Sequence, residues 1–198
     1  MTNFVGDNTA DTLVGTNALT TWTISGANDG SLSTGFTFTD IANLTGGNQN
    51  DSFAFTAAGS LSGLIDGGAH TTGDSADYSA RGALTVTIGT SITNIESVTG
   101  NDTDQTLAVA SGTNTFTISG ANDGNVNGTV TFINFASLQG GTGNDTFTFT
   151  TGSLTGSIDG GTGTNTINIA AVAGANTIDL QTGEIDAGAT VLGGRSPT

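Results

Sequence analysis

The side chains able to do chemistry in this chain are few in kind: seventeen acids, one histidine, two arginines and no cysteine. Without cysteine there is no disulfide, thiolate zinc site or thiol nucleophile. Serine, histidine and aspartate all occur, but no G-x-S-x-G elbow supports a nucleophilic triad. His70 stands beside Gly73-Asp74 without a second histidine or a cysteine to complete a zinc site, and it reads as a solvated loop residue. Uronate lyases need basic groups to neutralise a carboxylate, and only Arg81 and Arg195 are present. Glycoside hydrolysis needs a carboxylate pair in a cleft, typically lined by aromatics, whereas the aromatics here fall in core-type positions. The chain therefore reads as a protein without enzymatic activity. What remains is a recurring oxygen-bearing or amide side chain, five residues after a periodic glycine: Asp11, Ser31, Asp51, then Gln105, Asn125, Asp145 and Asn165. Such side chains cap turn backbones.

A formal charge of −15 repels phosphate backbones and anionic lipid, so nucleic acid and acidic membranes are excluded as partners. No window approaches the ~18 apolar residues of a membrane helix, and no membrane insertion is expected. The start Met1 to Asp7 lacks a basic, apolar leader. The expectation is a soluble chain that is cytosolic, exported by a route that leaves its N-terminus intact, or a piece of something larger. Large apolar residues are scarce and glycines number 32, so a helical or α/β core is not expected.

The elements that hold these residues follow from repetition. Thr23 to Gly30 recurs identically as Thr117 to Gly124, and Asn50-Asp51, Phe53 and Phe55 recur as Asn144-Asp145, Phe147 and Phe149. Two homologous units of about 94 residues, 4–97 and 98–191, precede a polar tail, 192–198. Within each unit glycines fall at 6, 26, 46 and 67, then 100, 120, 140 and 160. Two residues before each stands Phe4, Ile24, Leu44, Ile65, Val98, Ile118, Leu138 or Ile158, which reads as one inward column. Alternation such as Thr146-Phe147-Thr148-Phe149-Thr150 marks short strands. The fold class expected is all-β: a single parallel β-helix, or β-solenoid, of about 20 residues per rung, with rungs ~4.8 Å apart and a rod roughly 45 Å long. A loop or altered rung is expected around His70 to Gly82.

Gly140 to Thr148, read as Gly-Gly-Thr-Gly-Asn-Asp-Thr-Phe-Thr, fits the nonapeptide G-G-x-G-x-D-x-U-x throughout. Gly46 to Ala54 keeps Asp51 and Phe53 but has Gln49 for the third glycine, and Gly160 to Asn168 has Asn165 for the aspartate. In these segments the chain resembles the haemolysin-type (RTX) calcium-binding repeats, and more closely the degenerate, longer-runged versions in giant repetitive bacterial surface and adhesin proteins. The resemblance implies Ca²⁺ held by aspartate oxygens and inward glycine carbonyls, with Asp145, Asp51, Gly141, Gly143 and Asn165 as candidate ligands. It also implies an extracellular or cell-surface location and type I secretion. Asp145 is expected between Asn125 and Asn165, and Asp51 between Ser31 and the turn near Thr72 to Asp74. The alternative is an Asn/Asp ladder that caps turns without metal. Asp66-Gly67-Gly68 and Asp159-Gly160-Gly161 read as turn formers.

Outward threonine pairs at 21/23, 37/39, 85/87, 115/117 and 146/148 suit strand surfaces and are also the pattern of ice-binding ladders. The function expected is a non-catalytic structural or spacer β-solenoid of a secreted bacterial surface protein or adhesin. Alternatives are a filament subunit that pairs end to end with itself, a module that binds glycans or the cell surface, and an ice-binding solenoid.

Overall fold

The computed structural model describes residues 2–172 and the backbone of three later strands. Its contacts divide the chain into two compact units, 1–82 with 90–99 and 83–89 with 100–198. Arg195 and residues 195–198 of the polar tail lie outside the described residues. Among the described residues every regular element is a strand.

The first unit contains β1 (Asn3–Val5), β2 (Thr12–Val14), β3 (Thr21–Gly26), β4 (Asp29–Leu32), β5 (Thr37–Thr39), β6 (Asn43–Thr45), β7 (Ser52–Phe55), β8 (Ile65–Asp66) and β9 (Ser75–Asp77). After β10 (Thr85–Ile88), which belongs to the second unit, β11 (Ile92–Thr93) and β12 (Ser97–Thr99) return to the first. The chain alternates between two stacks of parallel strands. One stack is β2, β6, β8 and β11, which lines up Leu13, Leu44, Ile65 and Ile92. The other is β3, β7, β9 and β12, which lines up Trp22, Phe53, Ala76 and Val98. Leu44, Ile65, Ile92 and all four residues of the second column are buried. Alternate residues of β3 and β7 are buried and half-buried, because successive strand side chains point to opposite faces.

The second unit repeats this logic with β13 (Thr106–Val109), β14 (Thr115–Gly120), β15 (Asp123–Val126), β16 (Val130–Ile133), β17 (Ser137–Gln139), β18 (Thr146–Phe149), β19 (Ser157–Asp159) and β20 (Thr166–Asn168). Val86, Leu107, Leu138 and Ile158 form one column, and Phe116, Phe147 and Ile167 the other. Beyond them β21 (Asn176–Asp179), β22 (Glu184–Ala187) and β23 (Val191–Gly194) pair antiparallel with one another, and β23 runs parallel to β19. An all-β chain that returns repeatedly to parallel neighbours is compatible with a β-solenoid.

The register differs from the sequence expectation at the repeated Thr-Ile-Ser-Gly-Ala-Asn-Asp-Gly segment. It is not a plain turn of the coil. β3, β4 and β5 form an antiparallel meander, and so do β14, β15 and β16. Ile24 is therefore opposite Phe55 and Gly30, not in column with Leu44; Ile118 is opposite Phe149 and Gly124. Leu44 to Ile65 and Leu138 to Ile158 do stack as read. The signal was present in Asn127-Gly128: both have positive φ (55° and 69°), and the Thr129 amide donates to the Val126 carbonyl at 3.0 Å, closing the two-residue hairpin that this dipeptide favours. The loop expected at 70–82 contains a strand, β9, paired to β7 and β12.

Aromatic rings stack along the columns, Trp22 on Phe53 at 5.5 Å and Phe116 on Phe147 at 4.6 Å. Each such pair adds about 0.5–1.5 kcal/mol beyond its buried area. Truncation of Phe147, which is fully buried, to alanine is expected to remove about 3–5 kcal/mol. Leu138→Asp, between Leu107 and Ile158, is expected to abolish the cooperative melt followed by far-UV circular dichroism. A Leu138→Asp chain that melts like the parent contradicts this register.

Candidate functional site

Turns stacked between the strands carry backbone N–H groups that strand pairing does not satisfy, and acidic or amide side chains take them up. In the first unit the Thr20 amide donates to Asp51 Oδ1 (2.9 Å), the Asp51 amide to Asp74 Oδ1 (2.6 Å), and the Asp74 amide to Glu96 Oε2 (2.7 Å). In the second, the Asn114 amide donates to Asp145 Oδ1 (2.8 Å) and the Asp145 amide to Asn165 Oδ1 (2.9 Å). Each turn is thus fastened by the side chain of the turn that follows in the chain. Asp51, Asp74 and Asp145 are buried, where an unpaired amide would cost about 1–3 kcal/mol.

One neighbour of each acid is as expected, Asp74 for Asp51 and Asn165 for Asp145, and the other differs. Asp51 sits between Thr20 and Asp74, and Asp145 between Asn114 and Asn165. Ser31 and Asn125 have moved into the meander strands β4 and β15, since each inserted hairpin displaces the next coil. Equivalent ladders use Asn28, which donates to Asn8 and Ser62, and Asn122, which donates to Asp102 and Thr155. Asp66 Oδ1 accepts from the Gly68 amide and Asp159 Oδ1 from the Gly161 amide, as turn formers do.

Of the candidate calcium ligands, Asp145, Asn165, Gly141 and Gly143 fall in successive stacked turns of the second unit. Gly141 and Gly143 have φ of +84° and +124°, and a Cβ added at Gly143 would overlap the Gly112 carbonyl oxygen. Only glycine allows such stacking. Asp145 Oδ1 accepts from the amide and side chain of Asn114, while its Oδ2 is buried with no hydrogen-bond partner. Asp51, in the first unit, has both oxygens occupied: Oδ1 by Thr20 and Oδ2 by the Gly47 amide at 2.7 Å.

Sequence reasoning missed a cluster on His70. The irregular turn 68–74 brings His70 Nδ1 to 3.1 Å from Glu96 Oε2 and 3.4 Å from Asp74 Oδ2. The turn is shaped by Asn50, whose Oδ1 accepts from the amides of Thr71, Thr72 and Gly73. Asp74 is fully buried, and its Oδ2 has no hydrogen-bond partner. Burial pushes its carboxyl pKa up, aided by the Glu96 and Asp51 carboxylates and opposed by the hydrogen bond from Asp51 and by His70. The available signal was spacing: Asp51, Asp74 and Glu96 lie 22 to 23 residues apart, one coil each, and His70 precedes Asp74 by four.

The outward threonines do not make one surface. Thr115, Thr146 and Thr166 stack, but Thr21 stacks on Ser52 and Ser75, and Thr23 on Ala54 and Asp77. Among the described residues no helix is long and apolar enough to cross a membrane. No family model, no curated protein and no solved structure matches the chain.

A carboxyl whose pKa is higher in the folded than in the unfolded chain stabilises the fold most when protonated, so that contribution is present below the unfolded pKa and lost as pH rises through the folded one. Asp74→Asn keeps an oxygen for the Asp51 amide and turns an N–H donor toward Glu96. With a chelator present, this variant is expected to melt above the parent near neutral pH, and the gap should close as pH falls through the acidic range. Thermal melts across pH check it.

Proposed function

We propose that the chain is a non-catalytic structural module, a degenerate β-solenoid of the RTX type that serves as a spacer in a secreted bacterial surface protein or adhesin. The observation that carries this reading is the side-chain ladder, in which Asp51, Asp74, Glu96, Asp145 and Asn165 are committed to the amides of neighbouring turns. Acids used this way hold a fold together rather than act on a substrate. The remaining surface acids keep the chain soluble and repel anionic partners. Calcium enters the reading at the nonapeptide turn, where Asp145 Oδ2 is a carboxylate oxygen without a partner.

A second reading, self-association, is favoured by the first strands. β1 and β2 stand at the edges of their sheets, with Val5, Val14 and Leu19 each more than 60% exposed. An open edge with apolar side chains is a template for another strand, and a second copy of this chain would supply one.

Single-molecule pulling tests the structural role. Discrete rupture peaks are expected in chelator, with higher rupture forces in millimolar Ca²⁺ that Asp145→Ala abolishes. Smooth extension without peaks would overturn a load-bearing role, and peaks indifferent to Ca²⁺ would remove calcium from the reading. For self-association, sedimentation velocity should show concentration-dependent species that the double variant Val5→Lys, Val14→Lys eliminates; a monomer at all concentrations overturns it.

A further inference from the structure

His70, Asp74 and Glu96 are the only three metal-capable side chains whose donor atoms converge, among the described residues: one donor atom from each lies within 4.8 Å of the other two. Ligands bound to a zinc-class ion at ~2.0–2.2 Å in a tetrahedral arrangement stand about 3.3–3.6 Å apart. The observed separations from His70 Nδ1, 3.1 and 3.4 Å, are close to that edge.

The second carboxylate makes this more than a chance ion pair. Asp74 Oδ1 is taken by the Asp51 amide, which aims Oδ2 at the cluster, buried and without a hydrogen-bond partner. Glu96 Oε2 is positioned by the Asp74 amide. Both carboxylates are therefore preset by backbone hydrogen bonds, the kind of support that orients metal ligands. Two carboxyl groups and one imidazole converge, so the cluster offers two oxygens and one nitrogen to an ion. Asp74 Oδ2 lacks a donor that a cation would replace. His70 and Glu96 are each about one-third exposed, which leaves a path for an ion and a position open to water.

We propose that His70, Asp74 and Glu96 bind one divalent transition-metal ion of the zinc class, joining the irregular turn 68–74 to the following coil. The imidazole nitrogen selects such an ion over Ca²⁺ and Mg²⁺, which prefer all-oxygen sites. This site is separate in residues and in chemistry from the calcium reading at Asp145.

Zn²⁺ titrated into the metal-free full chain tests the proposal, followed by calorimetry and thermal melting. One Zn²⁺ per chain is expected, with a rise in melting temperature of about 5–10 °C at a hundredfold excess over the dissociation constant. His70→Ala, a change at a part-exposed side chain, should fold normally and lose both effects, while Asp145→Ala retains them. Co²⁺ should give a visible absorption band that His70→Ala abolishes, and Ca²⁺ should give no shift that depends on His70. Absence of Zn²⁺ binding, or equal binding by His70→Ala, overturns the proposal; the latter would mean that surface acids alone collect the ion.

Discussion

The constraint on which the structure depends is that a turn stacked on another turn must find partners for its amides without room for side chains between them. Glycine backbones come into direct van der Waals contact at Gly143 and Gly112, and at Gly161 and Gly141. That closeness leaves only the residue beside the glycines to reach across. A short acid or amide there accepts the preceding turn's N–H, as Asp145 does for Asn114 and Asp51 for Thr20. The column of acids is thus a consequence of the stacking of the turns. It also concentrates buried charge where an ordinary core would have none.

This arrangement explains how so little apolar surface holds a fold. Each coil contributes few inward side chains, but these are covered above and below, so Leu44 and Leu138 are buried although they stand on strands of three residues. Nearest-neighbour coverage replaces a wide core. The meanders add to this locally: Gly30 and Gly124 leave space for Phe38 and Phe132, whose rings would meet any Cβ placed there. In both meanders the small residue and the large ring are complementary across an antiparallel pair.

The same ladder gives the candidate sites different characters. Where both carboxylate oxygens find amides, as in Asp51, the residue is a fastener. Where one oxygen is left over in a buried place, as in Asp74 and Asp145, that oxygen has no hydrogen-bond partner. At Asp74 this leftover oxygen meets an imidazole and a second carboxylate. At Asp145 it lies against Gly140 of the nonapeptide turn. The chemistry of each position thus depends on what the neighbouring coil brings beside it.

The sequence by itself determined the class of the fold, because strict alternation around Phe53, Phe55, Phe147 and Phe149 with glycine-rich turns admits strands and little else. It also identified residues that fasten the turns, since Asp51, Asp145 and Asn165 share one offset from a glycine. It did not determine which turn sits on which. The Thr-Ile-Ser-Gly-Ala-Asn-Asp-Gly segment has a coil-like glycine, yet hydrogen bonding to its own continuation is local and closes more easily than a pairing a full coil away. The hairpin thereby shifts the partner of the coil that follows it, replacing Asn125 with Asn114 beside Asp145. Only the tertiary structure decided that, and only it brought His70 to Glu96. A lone histidine has no periodic counterpart to announce it, and its environment is set by a coil 26 residues further along the chain.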